Sequence, residues 1–472
     1  MDQKKVRAII NEMRRYGTEL HTAEAKAAKN DHPNELWKTI SAFANLSSGG
    51  IIICGLDDGP DFKTVEIYNV QDLHHHFIRI ASQMEPPLLP QIIPMEFEGK
   101  TIVVAEIPSV PLQQRPCYYK PEGLYQGSYI RVSTSKRRMN QYEINICLSN
   151  RSQTDFDVEP IKGATLEDLD RAKLESYFEH LKQIRSGASY ASQPFDQLTK
   201  TLKVVVDGND GVLRPSLAGL LIFGKWPQQF EPQLFITFMQ FYGMTETELS
   251  PSGERFLDNQ RFEGSLLEMT ESAYKYVLKN TRRGSVIRGL YRQNVAEYPE
   301  IAIREAIINA VAHRDYSPLG RSSQIQIKQF PDRLEIISPG GLYGNVALES
   351  LIDGQSTRNR ILMRFLEDLD LVENRGSGID AMFDAIKGVG LNPPAFEDKI
   401  ANFQVTLYNT KQRTDKDKIL DYVREHGSIK RAECQILLNI DSRRATYILQ
   451  AMKNSGVLKQ EGTDKSTHYV LS

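Results

Sequence analysis

A mixed α/β chain divided among several domains is the architecture this sequence predicts, on three observations. The chain has 472 residues, more than one hydrophobic core accommodates, so roughly three or four domains are expected. Short apolar runs bounded by glycine, such as Ile51-Ile52-Ile53 after Gly49-Gly50, alternate with stretches of helical period. Hydrophobic residues make up 40% and charged residues 25%, ordinary proportions for a globular protein.

Residues 1–150 read as a first α/β unit. A helix is expected from Val6 to Tyr16, followed by Glu19-Leu-His-Thr-Ala-Glu24-Ala-Lys26, and a second helix from Asn34 to Asn45. Gly49 and Gly50 supply the open dihedral space of a tight reversal. The buried strand that follows ends at Asp57-Asp58, where a loop can present both carboxylates. Strands are expected at Ile92–Phe97, Thr101–Ile107 and Tyr129–Val132. Pro86, Pro87, Pro90 and Pro94 exclude helix in that stretch.

Residues 151–257 read as a linker and connecting α/β segment, with a helix around Leu166–Arg185 and a strand near Leu234–Phe241. Residues 258–412 form a third unit. Residues 413–472 carry three helical patterns and two strands around Gly462, with Asp441 in N-cap position before the third helix.

Net charge is −2, so any surface for a polyanion is a local patch. No window approaches about 18 uninterrupted apolar residues, which argues against a membrane partner. The opening Met-Asp-Gln-Lys-Lys lacks the apolar centre of a secretory signal. Cys54, Cys117, Cys147 and Cys434 form no Cys-x-x-Cys pair, which disfavours zinc knuckles and disulfides and points to the cytoplasm. His74-His75-His76 has no neighbours at ligand spacing and reads as surface.

The chemistry of the third unit begins on a helix. Glu305, Asn309 and His313 are four residues apart and share one face. An asparagine carbonyl is a hard ligand suited to Mg²⁺. A glutamate one turn earlier can orient or deprotonate a water near a γ-phosphate. Arg333-Leu-Glu-Ile-Ile-Ser-Pro-Gly-Gly-Leu reads as a strand ending in Gly340 and Gly341, and Gly376 and Gly378 open a later helix. A glycine loop at a helix N-terminus offers N–H groups and a positive dipole end to phosphates.

In this order, the motifs resemble the GHKL ATP-binding fold of gyrase, MutL and histidine kinases. The resemblance implies an α/β sandwich that binds ATP or a related nucleotide. Asn309 would be the Mg²⁺ ligand, Glu305 the base, Gly376 and Gly378 the phosphate lid, with His313, Gly340 and Gly341 lining the nucleotide. The family's adenine-contacting aspartate has no counterpart here; Ser338-Pro339 stands in its place. His-Arg-Asp-Tyr and Ser-Pro-Gly-Gly-Leu are similar to the branch fused to Schlafen-type domains.

In the first unit, Ala42-Phe43-Ala44-Asn45, Gly49-Gly50 and Gly55-Leu-Asp-Asp58 resemble the Schlafen AlbA-type domain. Glu19, Glu24 and Lys26 match that family's Glu-x-x-x-x-Glu-x-Lys, with Ala25 where an aromatic residue is common. The resemblance implies Glu19, Glu24 and Asp58 as ligands of Mg²⁺ or Mn²⁺. Lys26 would stabilise charge on a phosphate while the metal activates water for RNA or DNA cleavage. Arg131, Lys136, Arg137 and Arg138, near Tyr125 and Tyr129, suit a phosphate backbone with stacked bases.

The tail resembles a winged helix-turn-helix, which implies Arg443 and Arg444 on a helix for the major groove. Two readings follow. One is a nucleotide-regulated, metal-dependent nuclease acting on DNA or structured RNA such as tRNA. The other is a non-catalytic DNA-binding transcription regulator that senses nucleotide. A homo-oligomer is expected in either case, and the domain pairing suggests defence against phage.

Overall fold

The computed structural model describes residues 3–57, 59–151, 155–288, 291–343, 346, 348, 351, 356–372, 377–412, 414–438, 440–462 and 467–472. Asp58 and Gly376 lie outside the described residues.

The first unit is built on a four-stranded sheet in the order Ala23–Lys26, Gly50–Cys54, Lys100–Ile107, Gln91–Phe97. The first pair is parallel and the other two are antiparallel. Successive side chains of a strand point to opposite faces, so the isoleucine run feeds two cores. Ile51 and Ile53 pack with Val6, Ile10 and Met13 of the Gln3–Tyr16 helix. Ile52 packs with Ile40 and Phe43 of the Leu36–Ala44 helix and Phe77 of the Val70–Ser82 helix. Pro94 sits in the edge strand Gln91–Phe97, where a missing N–H is tolerated. Gly49 has φ +69, and a Cβ there would strike the Ile107 carbonyl, while one at Gly50 would strike the Phe43 ring.

The second core is continuous from Ile161 to Leu407. Its six-stranded sheet runs Phe256–Phe262, Ile236–Phe241, Ile325–Gln329, Arg333–Pro339, Asn402–Tyr408, Ala395–Asp398. Only the Ile236–Phe241 and Ile325–Gln329 neighbours are parallel. The break expected between 257 and 258 therefore falls inside the edge strand Phe256–Phe262. The preceding segment is also no mere connection, because Leu217, Leu220, Leu221 and Phe223 share a core with Ile303 and Ile307. Strand pairing between distant residues joins what the local pattern divides.

The Glu300–Ala312 helix packs on the Arg333–Pro339 strand between the helices Leu266–Asn280 and Ser377–Gly388. The tail has its own core, including Ile419, Leu449, Leu458 and Tyr469. It consists of helices Asp415–His426, Arg431–Leu438 and Ser442–Asn454 and an antiparallel pair, Leu458–Glu461 with His468–Leu471. The Asp441 side chain accepts from the Arg444 N–H as an N-cap. Ile144 and Cys147 of the Gln141–Arg151 helix pack with Ile400, joining the first unit to the second. No helix among the described residues is long and apolar enough to cross a membrane.

Candidate functional site

A cleft opens beside the Glu300–Ala312 helix. Ala302, Ile303, Ala306 and Ile307 are buried, which turns Asn309 toward the edge of the core, and His313 follows at the C-cap. The cleft measures about 890 Å³ including its open mouth. Asn309, His313, Ser338, Gly340 and Gly341 all line it, with Ile379 and Met382 of the Ser377–Gly388 helix opposite.

Its two ends differ. Gly378 lies so close to Glu305 that a Cβ would strike the carboxylate. Glu305 is paired with Arg304, which also donates to the Leu371 carbonyl at 3.0 Å. Asn309 follows one turn on and His313 two turns on, about 12 Å from Glu305 along a helix rising 1.5 Å per residue. At the His313 end, Gly340 has φ +93, and a Cβ there would strike Arg358 and Asp315. The N–H groups of Gly340 and Gly341 donate to the carbonyls of Ala401 and Ile400 at 2.7 and 2.9 Å.

Arg358 lines this cleft and was not among the residues expected from the sequence. It is 6% exposed. Its Nη2 donates to the Gly341 carbonyl at 3.2 Å, and its Nη1 lies 3.8 Å from Asp315 Oδ2. Nε and Nη1 have no hydrogen-bond partner. The guanidinium stands 5.0 Å from the Tyr343 ring centre. The adjacent Asn359 donates its amide to the carbonyls of Ala312 and Arg314 at 2.9 and 2.8 Å, fixing this loop to the end of the helix. No spacing rule marks a lone arginine before a helix, so the sequence carries no signal for it.

His313 lines the cleft. Desolvation by the surrounding walls, and then the Arg358 charge, hold its pKa down to about 4. The imidazole is therefore neutral at pH 7. The Ser338 hydroxyl donates to the Ala310 carbonyl at 2.6 Å.

In the first unit, Glu19 and Glu24 are brought together, but around cations. Glu24 is 2% exposed. It accepts from the Thr39 hydroxyl at 2.9 Å and Lys136 Nζ at 2.7 Å, and Lys26 Nζ stands 2.9 Å away. Its second oxygen pairs with Arg131, which also donates to Glu19 Oε2 at 2.9 Å. Glu19 Oε1 accepts from the Ala25 N–H at 3.1 Å. Burial alone would raise the pKa of Glu24, but Lys26 and Lys136 outweigh it and hold it down to about 2. Burial and the Glu24 charge push Glu19 up, with Arg131 opposing.

Asp58, the third ligand of the expected metal cage, lies outside the described residues, so only Glu19 and Glu24 of that cage are seen here. Three cations occupy the carboxylate oxygens, and among the described residues no group of three His, Cys, Asp or Glu could hold a metal ion. Arg131, expected on a phosphate backbone, is instead 2% exposed against the equally buried Glu24, because a buried anion requires a buried cation. Of the remaining basic run, Lys136 is bound to Glu24 and Arg137 forks onto Glu143 at 2.6 and 2.9 Å. Arg138 is exposed beside Gln126. Arg443 and Arg444 are exposed on the last helix.

Comparison with known proteins assigns the parts of the chain. Residues 19–140 match the family "Schlafen, AlbA_2". Residues 322–407 match "Putative ATP-dependent DNA helicase recG C-terminal", and residues 145–237 match a domain of unknown function, DUF8451. No curated protein matches the chain significantly. The crystal structure of the DIP2311 protein from Corynebacterium diphtheriae is 18% identical, with a TM-score of 0.40, over 100% of this chain and 97% of that one. The solution structure of the N-terminal domain of a RecG-related "Putative ATP-dependent DNA Helicase" from Nitrosomonas europaea is 25% identical. It covers 28% of this chain and 92% of its own, with a TM-score of 0.23. The chain thus carries one segment similar to the Schlafen AlbA_2 family and another similar to the recG C-terminal family.

Proposed function

We propose that this protein binds nucleic acid and responds to a Mg-nucleotide, ATP or a related one, held in the cleft between Asn309 and Gly341. The observation that supports the nucleotide site is the convergence of Asn309, His313, Gly340 and Gly341 on one cleft from segments far apart in sequence. Asn309 suits a Mg²⁺ that keeps most of its waters and takes its other ligands from phosphates. Gly378 at the start of the Ser377–Gly388 helix suits the phosphates, whose charge a helix N-terminus favours. Glu305, paired with Arg304, would have to exchange that partner to act on a water.

For the nucleic-acid part, the charge arrangement favours the non-catalytic reading. Lys26, Arg131 and Lys136 compete with any metal for Glu24, so the first unit is better suited to holding phosphates than to cleaving them. Arg138 in that unit, and Arg443 and Arg444 on a tail of winged-helix type, are the exposed cations that would meet the backbone. Residues 415–472 carry ten Lys and Arg against eight Asp and Glu, so the contribution of the tail rests on placement rather than on net charge.

Two measurements test this. Calorimetry with Mg-ATP should give binding that Asn309→Ala weakens; unchanged affinity removes the site. Labelled tRNA, single-stranded DNA and duplex DNA, incubated with Mg²⁺ or Mn²⁺, should be retained uncut. Cleavage that disappears in Glu24→Ala would instead establish a nuclease.

A further inference from the structure

One hairpin belongs to both halves of the molecule. Its strands, Ala395–Asp398 and Asn402–Tyr408, contribute Phe396, Phe403 and Val405 to the cleft wall. Its turn, residues 399–401, is bonded to the glycine pair on that wall. The Gly341 N–H donates to the Ile400 carbonyl at 2.9 Å, and the Gly340 N–H to the Ala401 carbonyl at 2.7 Å. The Ile400 side chain is not part of the second core. It is buried in a small cluster with Ile130, Met139, Ile144 and Cys147 of the first unit.

Ile400 has φ +63. A β-branched residue in the left-handed region is a genuine outlier, and such strain persists only where the surroundings demand it. Two demands meet at this residue. Its backbone is held by Gly341 on one side and on the other by Asp398, whose Oδ1 accepts from the Ile400 N–H at 3.1 Å. Glycine would satisfy that backbone without strain; only the contact with the first unit calls for isoleucine. Asp398 itself feels the charges of Arg115, from the first unit, and of Arg358, from the cleft. Beyond Ile400 the contact continues to the surface. Met139 and Ile144 also line a hollow that holds Tyr125 and Arg138, and Arg138 is one of the exposed cations assigned above to a phosphate backbone.

We propose that this hairpin couples the two sites, so that a nucleotide in the cleft changes the affinity of the first unit for nucleic acid through Ile400. The inference rests on the nucleotide and nucleic-acid reading above and adds the route between the sites. A ligand shifts such an element only if it prefers one placement over another, and Phe396 and Phe403 stand where the ligand meets the hairpin. Coupling of this kind is reciprocal.

The test uses the full chain, a labelled tRNA, a labelled DNA duplex, and Mg²⁺ with the non-hydrolysable ATP analogue AMP-PNP. Fluorescence anisotropy should show the affinity for the retained nucleic acid shifting about fivefold or more when the analogue is saturating. Calorimetry should show the analogue's affinity shifting by the same factor when that nucleic acid is saturating. Ile400→Gly keeps the turn and removes the contact; Ile144→Ala cuts the contact from the first unit's side. Either should bring both factors to about one, and the free Ile144→Ala protein should bind the analogue as the wild type does. Circular dichroism confirms that the variants are folded, and the wild-type measurement stands without them. Two ligands that both bind without affecting each other overturn the coupling and leave the reading beneath it standing. An undiminished factor in Ile400→Gly overturns the role of Ile400. Failure of either ligand to bind alone overturns that part of the underlying reading, and the coupling with it.

Discussion

Arg131 joins Glu19 to Glu24: one guanidinium donates to a carboxylate on each, beneath the surface of the first unit. The arrangement converts a pair of like charges, which would repel, into a bound cluster. Lys26 and Lys136 stand on the other Glu24 oxygen, so that carboxylate is surrounded by cations.

Replacing Arg131 by Met is expected to destabilise the protein by about 1–3 kcal/mol, since it leaves one oxygen of the buried Glu24 short of a partner while Lys26 and Lys136 stay on the other. Urea denaturation at pH 7 measures this. If Mg²⁺ restores the stability of that variant and not of the wild type, the carboxylates can take a metal once the arginine is gone.

Glu24 makes stability fall in acid. Its folded pKa, held down to about 2 from 4.5, lies below the unfolded value, so its contribution is present above about 4.5 and is lost as pH falls toward 2. The size is about 3 kcal/mol. Glu19, with its pKa raised, acts in the opposite sense, favouring the fold below its unfolded pKa and losing that contribution as pH rises through the folded value. Denaturation midpoints between pH 6 and 2.5 should fall steeply for the wild type and less so for Glu24→Gln. Equal slopes would mean that the cluster does not control acid stability.

Gly378→Ala places a methyl group against the Glu305 carboxylate. A misfit of 1.4 kcal/mol is enough to lower Mg-nucleotide affinity about tenfold. Gly388→Ala, at the other end of the same helix with nothing within 4 Å of its Cβ, should leave affinity unchanged. Titration calorimetry on the pair checks the contrast.

Asn359→Ala orphans the buried carbonyls of Ala312 and Arg314. A loss of about 1–3 kcal/mol in stability is expected, together with weaker nucleotide binding as the Arg358 loop loses its attachment. Stability loss with unaltered affinity would show that the loop holds its place without Asn359.

Local chemistry carried much of this molecule into view before any coordinates. The Ile51–Ile53 strand, the glycine turn before it and the three helices of the tail follow from side-chain period, glycine freedom and capping, all of which act over a few residues. The four-residue spacing that put Asn309 and His313 on one helix face also placed both on one cleft wall.

Only tertiary structure decided that the strand at Ile236–Phe241 belongs to the same sheet as Arg333–Pro339, and that Arg131 neutralises Glu19 and Glu24 across more than a hundred residues. The same holds for Arg358, which acquires its place only when Asn359 reaches the end of a helix more than forty residues upstream. Period and propensity act between near neighbours and can be read one segment at a time. Sheet order and the pairing of buried charges are set by which distant surfaces meet, and nothing local records that.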